Sequence, residues 1–524
     1  MTTAKKETKI QRTGFTSIIV MICTLTTRLF GLVRNAVINA LFGASGHADV
    51  WHLVFMIPNN LRKLFAEGAL SSAFIPVISS ALVTDPSRKS SQKISRNLIT
   101  LQLIILVPVI LCAFIFAEPI INVLALFPQK EKMDLAVTLF RWIFGYILFV
   151  SMSAIVMGVL NSHNIFIPPA IMPVLFSITV ISSIIIFHKG CDILAMVPGI
   201  LLGGIAQVVF LLPFFFKKGY DLKFDFHFNN PHFKQIMKLW LPILAASSIF
   251  TVNQQIAMIF ASGLEDGSTS AIGNALVFFQ LPFGMITSSI STVLFPRMSR
   301  QATISDREGL RSTFSYGLNF ILIFLFPAAL GYCLLGRHIV SLIFERGNFT
   351  SDNSLLTYNV LWGYSLGLFS LGAFMFCQRF FYSLKDYKTP GLISAFVVVL
   401  DVSLSLWLKE TFLRVTGLAV ANSIAFTVGF GVMLIFIRKR LGRIHGKRFI
   451  KNFLKVSLSM LGMAAVILLY LVFTKRFWTP GSSFINGCLL LGAIIPGAGI
   501  TFFLYYITGI DIFRGILKER FKIQ

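Results

Sequence analysis

The sequence predicts an all-α polytopic membrane protein of about fourteen transmembrane helices: two six-helix lobes plus two C-terminal helices. Three observations carry this. Of the 524 residues, 56% are hydrophobic and 13% charged, against about 25% charged in a soluble domain. Apolar runs of about twenty residues, enough to cross ~30 Å of hydrocarbon, recur from end to end. The basic residues gather in alternate connections, the positive-inside pattern.

Lys5, Lys6, Lys9 and Arg12 precede the first span, 14–42. Its apolar part is too long for a cleaved signal sequence and arginines interrupt it, so it remains as a helix. FGASGHAD (42–49), without Lys or Arg, leads to the second span, 48–83. Arg88, Lys89, Lys93 and Arg96 open the third, 94–126. The fourth to sixth follow at 135–161, 168–187 and 193–216, and Lys217, Lys218 and Lys223 separate them from the seventh, 233–262. GLEDGST (263–269), again without Lys or Arg, leads to the eighth, 270–295. Arg297, Arg300, Arg307 and Arg311 stand before and within the start of the ninth, 310–335. The tenth to twelfth span 354–383, 391–409 and 414–438. A basic stretch from Arg438 to Lys455 precedes and enters the thirteenth, 449–473; the fourteenth is 484–508, followed by Arg514 to Lys522. Both termini fall on the basic, cytoplasmic side of a multi-pass protein. Pro and Gly within the long spans predict kinks or breaks. The net charge of +25 is placed by topology, so it argues for anionic phospholipid headgroups rather than nucleic acid as partner.

An internal repeat is legible. AFIPVIS (73–79) resembles VLFPRMS (293–299), FGYILF (144–149) resembles WGYSLGLF (362–369), and LNSHNIFIPPA (160–170) resembles LKDYKTPGLIS (384–394). The offsets are 220 (Pro76 to Pro296), 218 (Gly145 to Gly363) and 222 (Pro168 to Pro390). Three ordered matches at nearly one offset indicate duplication. The unit holds six spans, an even number, so both copies enter the membrane in the same sense and are related by a pseudo-two-fold along its normal. This divides the chain into a first lobe (1–217), a second lobe (218–440) and the terminal pair (441–524). Two lobes around a cavity suit alternating-access transport.

The first two spans carry Arg28, Arg34, Asp49, Arg62, Lys63 and Glu67, charges too costly to face lipid. Arg28 and Arg34 diverge by ~120° on a straight helix, and Gly31 between them offers a bend. A network serving structure alone should balance its charges, whereas four bases here outnumber two acids. Forked guanidinium donors suit an anion such as phosphate. At an offset of 220, Arg28 meets Ser248, so the anion site belongs to the first lobe alone. In FVVVLDVSLSLWL (396–408), Asp401, with Ser405 one turn on, has two readings: Na⁺ or proton coupling together with Asn253, or a plain hydrogen bond to Asn253 or Asn422. The 54 phenylalanines read as lipid-facing, and Trp51, Trp142, Trp362 and Trp478 as interfacial anchors. Six scattered cysteines without a CxxC, and no HExxH, give no disulfide or metal expectation. No nucleophile–base set suggests an enzyme, and no cofactor is implied.

TRLFGLVRN (27–35), FGASGHADVW (42–51) and IPNNLRKLFAEGALSSAFIPV (57–77) resemble the MurJ (MviN) family of lipid II flippases. That family shares a superfamily, MOP, with MATE exporters and polysaccharide-lipid flippases. The resemblance covers the whole chain. It implies translocation of lipid II, the undecaprenyl-diphosphate-linked peptidoglycan precursor, across the bacterial inner membrane in cell-wall biogenesis. Cell-wall synthesis proteins are the implied partners. It implies a central cationic cavity at Arg28, Arg34, Asp49 and Arg62, with Asn59, Lys63 and Glu67 beside them, and a lipid-tail groove formed by the last two helices. Two positions depart from the family: Asn35 stands where an acid often follows the second arginine, and AIGNALVFFQLP (271–282) lacks an eighth-span arginine, with Val277 near its place and Gln280 close by. The membrane potential, inside negative, is a candidate for resetting a positive cavity. The rivals are a flippase for another polyprenyl-diphosphate glycan, a MATE-type exporter of cations, which calls for an acidic cavity, and a non-transporting scaffold, in which the arginines are replaceable.

Overall fold

The structure, a computed structural model, describes residues 3–62, 69–85, 87–442, 446–478 and 483–510. Lys63 and Glu67 of the expected site lie outside these residues. Among the described residues every regular element is helical, and nine helical segments are long and apolar enough to cross a bilayer, ten if one bent pair counts as a span. The chain divides into two compact units, 1–266 and 267–524.

The first unit contains α1 (Thr3–Phe42), α2 (Gly46–Arg62), α3 (Ala69–Thr84), α4 (Lys89–Ile115), α5 (Ala117–Leu124), α6 (Lys130–Phe144), α7 (Tyr146–Ser162), α8 (Ile167–Cys191), α9 (Met196–Lys217) and α10 (Pro231–Ser262). The expected first seven spans fall on these helices, singly or as the consecutive pairs α2–α3, α4–α5 and α6–α7. Gly145 marks the α6–α7 break. α8 and α9 approach closely because Gly199 and Gly203 present no side chain. A Cβ on Gly199 would lie 2.8 Å from the Val180 Cα, and one on Gly203 2.7 Å from the Phe176 ring. Membrane helices associate through such small-residue stripes because lipid offers no hydrophobic drive between them. α1 lies on α8, where Thr27 Oγ1 donates to the Ala170 carbonyl at 3.0 Å. α10 packs on α2, α3 and α4.

Loop contacts in this unit segregate by charge. At one end the basic connection after α9 is fastened to α4. At the other, the poorly basic connections meet: Lys132 pairs with Asp266 beside Gly46, and His47 pairs with Asp192 at 2.6 Å.

The second unit contains α11 (Ser268–Thr303), α12 (Arg307–Phe344), α13 (Ser351–Ser365), α14 (Leu368–Ser383), α15 (Lys388–Leu408), α16 (Arg414–Leu441), α17 (Gly446–Thr474) and α18 (Ser483–Thr508). α13 and α14 form one expected span bent by 46°. α17 and α18 pack against α12, where Asn452 Nδ2 donates to Asn319 Oδ1 at 2.8 Å and the Tyr505 hydroxyl to the Ile323 carbonyl at 3.0 Å. Buried polar groups in membrane helices are paired in this way because hydrocarbon supplies no partner.

The sequence repeat has a backbone counterpart. The six described non-glycine residues with positive φ form three pairs: Arg88 and Ser305, Asn164 and Lys385, Asp192 and Arg414. Their separations are 217 (305−88), 221 (385−164) and 222 (414−192). A left-handed conformation costs an L-residue roughly 1–2 kcal/mol, so its recurrence at one offset reflects duplicated turns. The locks recur too: Arg88 donates to the Lys218 carbonyl at 3.2 Å, and Arg311 Nε to the Leu441 carbonyl at 2.7 Å.

The aromatic expectation is corrected. Among the described residues twenty phenylalanines are buried and sixteen exposed, so phenylalanine builds the cores rather than mainly facing lipid. In the second unit Phe314 stacks on Phe376 at 5.7 Å and meets Phe380 edge-on at 5.1 Å. Rings fill membrane cores well because they add large contact area with few rotamers. Trp51 is likewise no interfacial anchor: it is 4% exposed and stacks on Phe55 at 4.6 Å.

Candidate functional site

The candidate site lies on α1 and α2. α1 is helical without interruption through Gly31, and a Cβ there would meet nothing within 4 Å. Arg28 and Arg34 are both half-buried. The Arg34 guanidinium stands 5.3 Å from the centroid of the Phe176 ring, a cation–π distance. Arg62 and Tyr146 are within its electrostatic reach. Two guanidiniums from different helices therefore share one neighbourhood. Arg62 Nε donates to Asn59 Oδ1 at 3.2 Å, so Asn59 steadies the head of its helical neighbour.

The wall beside Arg34 is aromatic. Phe55, Tyr146 and Phe176 are mutually in contact, with centroids 6.3 Å (Phe55–Tyr146), 6.3 Å (Phe55–Phe176) and 5.2 Å (Tyr146–Phe176) apart. They come from α2, α7 and α8. The Gly145 break starts α7 at Tyr146, and the glycine seam of α8 and α9 holds Phe176.

On α2, His52, Phe55, Met56 and Asn59 are less buried than the residues between them, and Arg62, half-buried like Leu61 before it, continues their register. The spacing i, i+3, i+4, i+7, i+10 is one helix face. His52 was not among the candidates read from the sequence. It lies within electrostatic reach of Arg34, and among the described residues its Nε2 is inaccessible without a hydrogen-bond partner. The only sequence signal for it was its helical register with Asn59 and Arg62.

Asp49 is 3% exposed in the first turn of α2, where a helix N-terminus favours a carboxylate. Thirteen residues separate it from Arg62, roughly 20 Å along a straight helix, so the two occupy opposite ends of α2. Asn60, on another face, donates to Gln255 Oε1 of α10 at 3.2 Å.

Asp401 on α15 is 4% exposed. It accepts from Asn422 Nδ2 of α16 at 2.8 Å and from Ser405 Oγ at 3.3 Å. Asn253 is also buried, on α10 of the first unit. At the departures from the family pattern, Asn35 and Val277 are half-buried and Gln280 is exposed.

A separate cavity of about 270 Å³ lies in the second unit among α11, α12, α17 and α18. Pro282, Phe324, Gly331, Met463, Ile494 and Phe502 are among its lining residues.

Nine membrane-length helices among the described residues define a polytopic membrane protein, with the cationic patch on α1 and α2, and the fold is the one seen in the MOP superfamily. A multidrug-resistance MATE family transporter of that superfamily, in its inward-facing conformation, aligns over 82% of this chain and 99% of its own with a TM-score of 0.66 at 15% identity. The chain belongs to the MurJ lipid II flippase family, whose model matches residues 38–489. The probable lipid II flippase MurJ of Borreliella burgdorferi is 33% identical, over 96% of this chain and 98% of its own. That of Rickettsia prowazekii is 31% identical over 94% and 96%. A solved lipid II flippase MurJ in an inward closed conformation aligns over 93% of this chain and 99% of its own, with 28% identity and a TM-score of 0.77.

Proposed function

We propose that this chain carries lipid II from the cytoplasmic to the periplasmic leaflet of the bacterial inner membrane by alternating access, with Arg28, Arg34 and Arg62 holding the diphosphate. The observation that carries this reading is the shared neighbourhood of Arg34 and Arg62. Two like charges brought together inside membrane helices repel, and a compact polyanion between them turns that repulsion into charge-assisted, forked hydrogen bonding. Asn59 steadies the Arg62 head, Asp49 stands at the far end of α2, and Lys63 and Glu67, next in the sequence, remain part of the proposed substrate-binding set.

The lobes 1–217 and 218–440 are the moving bodies in this proposal, and residues 441–524 supply the tail site. The apolar cavity among α11, α12, α17 and α18 takes part of the polyprenyl tail. Both termini are cytoplasmic, anionic phospholipids hold the basic ends, and cell-wall synthesis proteins receive the product. The work is translocation without bond chemistry. The test is depletion of the protein followed by measurement of which leaflet holds lipid II: accumulation on the cytoplasmic side supports the reading, and an unchanged distribution ends it. Coupling through Asp401 with Ser405, by Na⁺ or a proton, is tested by Asp401→Asn. Unchanged transport and ion dependence leave Asp401 as the hydrogen-bond acceptor of Asn422 alone.

His52, whose Nε2 is closed off in this structure, supplies a hydrogen bond to the headgroup beyond Arg34 once the helices around it open for substrate. A buried polar atom without a partner costs about 1–3 kcal/mol, and a bound substrate provides that partner. His52→Phe therefore raises thermal stability slightly and lowers flipping several-fold, whereas His52→Gln keeps most of the flipping. Wild-type flipping in His52→Phe removes His52 from the site.

A further inference from the structure

The connection between α9 and α10 is an extended strap fastened along α4. Arg88 donates to the Lys218 carbonyl, and Gln92 Nε2 to the Gly219 carbonyl at 2.6 Å. The Tyr220 hydroxyl meets Ser91 Oγ and His163 Nε2, both at 3.0 Å. Arg96 makes two bonds to Asp221, at 2.6 and 2.5 Å. Asn97 Nδ2 donates to the Asp225 carbonyl at 2.9 Å, and the Asp225 amide to Thr100 Oγ1 at 2.8 Å. The α4 partners advance from residue 88 to residue 100, roughly 18 Å along the helix. The strap thus descends from the basic end of α4 to the level at which α4 becomes apolar (LITLQLIILV, 98–107).

At that depth its side chains divide. Leu222 and Phe228 pack on the core of the unit, and Asp225 is 14% exposed. Phe224 and Phe226, on either side of Asp225, are 64% and 65% exposed. Ile104, Ile105 and Val107 of α4 are exposed just beyond, so the two rings extend an existing apolar band. Lys93, Lys217 and Lys223 are exposed around the strap. Its carboxylates are engaged by the protein, Asp221 with Arg96 and Asp225 with His227. The hydrogen bond from Arg96 also holds the Asp221 carboxyl below the usual carboxylate range. The clasp is therefore fully formed above the ordinary aspartate pKa and is lost as pH falls through the lowered one.

We propose that residues 218–228 dock onto the leaflet at the basic end of the bundle, with Phe224 and Phe226 entering the acyl-chain boundary and Lys93, Lys217 and Lys223 holding anionic phospholipid headgroups. Aromatic rings at that boundary beside lysines are the composition of an interfacial anchor. Two outward rings are too small a patch for a stable protein interface. Through the Arg96–Asp221 clasp, the strap ties the connection between the sixth and seventh spans to the lipid.

The test places the photocrosslinking residue p-benzoylphenylalanine at position 226, or at exposed Asn229 as control, in the full-length protein. The protein is held in nanodiscs of phosphatidylcholine, with and without about a quarter of phosphatidylglycerol. After irradiation, intact mass spectrometry should show a phospholipid adduct at 226 and several-fold less at 229. In the mixed bilayer phosphatidylglycerol should be enriched about threefold over its share, and Lys217→Gln with Lys223→Gln should remove that enrichment. No lipid adduct at 226, equal adducts at 226 and 229, or a protein adduct in native membranes would overturn the docking. Adducts that mirror the bilayer composition in the unmodified strap would overturn the headgroup contact.

Discussion

Arg34→Ala is expected to abolish lipid II flipping while the protein still folds and inserts. A diphosphate held by a guanidinium accepts two charge-assisted hydrogen bonds, each worth about 1.5–3 kcal/mol. Losing both removes roughly 3 kcal/mol or more, at least about a hundredfold in rate if the contacts form in the rate-limiting state. Arg34→Lys keeps the charge and loses the fork, so a measurable fraction should survive. The competing account is that Arg34 only packs on Phe176, 5.3 Å away. Arg34→Met, which retains contact with the ring without the charge, separates the two: a folded, inactive protein supports the anion site, and near-normal flipping rules it out. Arg62 admits a second check. If it serves only to pair with Glu67, Arg62→Gln with Glu67→Gln should recover both folding and flipping, because a deleted ion pair is tolerated far better than a lone buried charge. A folded double variant that cannot move lipid II supports the anion site.

Gly199→Leu should unfold or grossly destabilise the first unit, measured as loss of monodisperse protein in detergent and a large fall in thermal stability. A Cβ at this position would stand 2.7 Å from the Ser183 Cβ and 2.8 Å from the Val180 Cα. The second neighbour is backbone, so α8 and α9 must separate along their length. Overpacking typically costs about 1–3 kcal/mol, and a clash with backbone belongs at the upper end or above. Gly203→Val tests the link to the site, because the added atoms meet Phe176, the ring beneath Arg34. Its flipping should fall more than its stability. Gly31→Ala is the control: open space surrounds it on an unbroken helix, and alanine there is expected to be neutral or stabilising by up to about 1 kcal/mol. Equal stability of Gly199→Leu and Gly31→Ala would refute the glycine seam.

Legibility varied with the range of the interaction. The spans were legible because crossing hydrocarbon demands a local property, an uninterrupted apolar length. The duplicated turns were legible because Pro168 and Pro390 fix backbone locally. Arg28, Arg34 and Arg62 stood out because their cost in a membrane is a property of each residue alone. The aromatic wall was not legible: Phe55, Tyr146 and Phe176 lie far apart in sequence and resemble lipid-facing filler until three helices meet. Trp51 failed as an interfacial anchor for the same reason, since a position near a span end does not reveal what stands opposite.

The sequence alone determined that this chain spans a membrane many times, that it repeats itself, that α1 and α2 carry costly cations, and that it resembles the MurJ family. Tertiary structure decided which cations share a neighbourhood, that His52 joins them, that Asp49 lies at the other end of α2 from Arg62, and that the 218–228 connection is strapped to α4. The physical reason is range. Hydrophobic length and charge cost are set by a residue and its near neighbours in the chain, whereas an electrostatic neighbourhood is set by distance in space, which only packing across helices supplies.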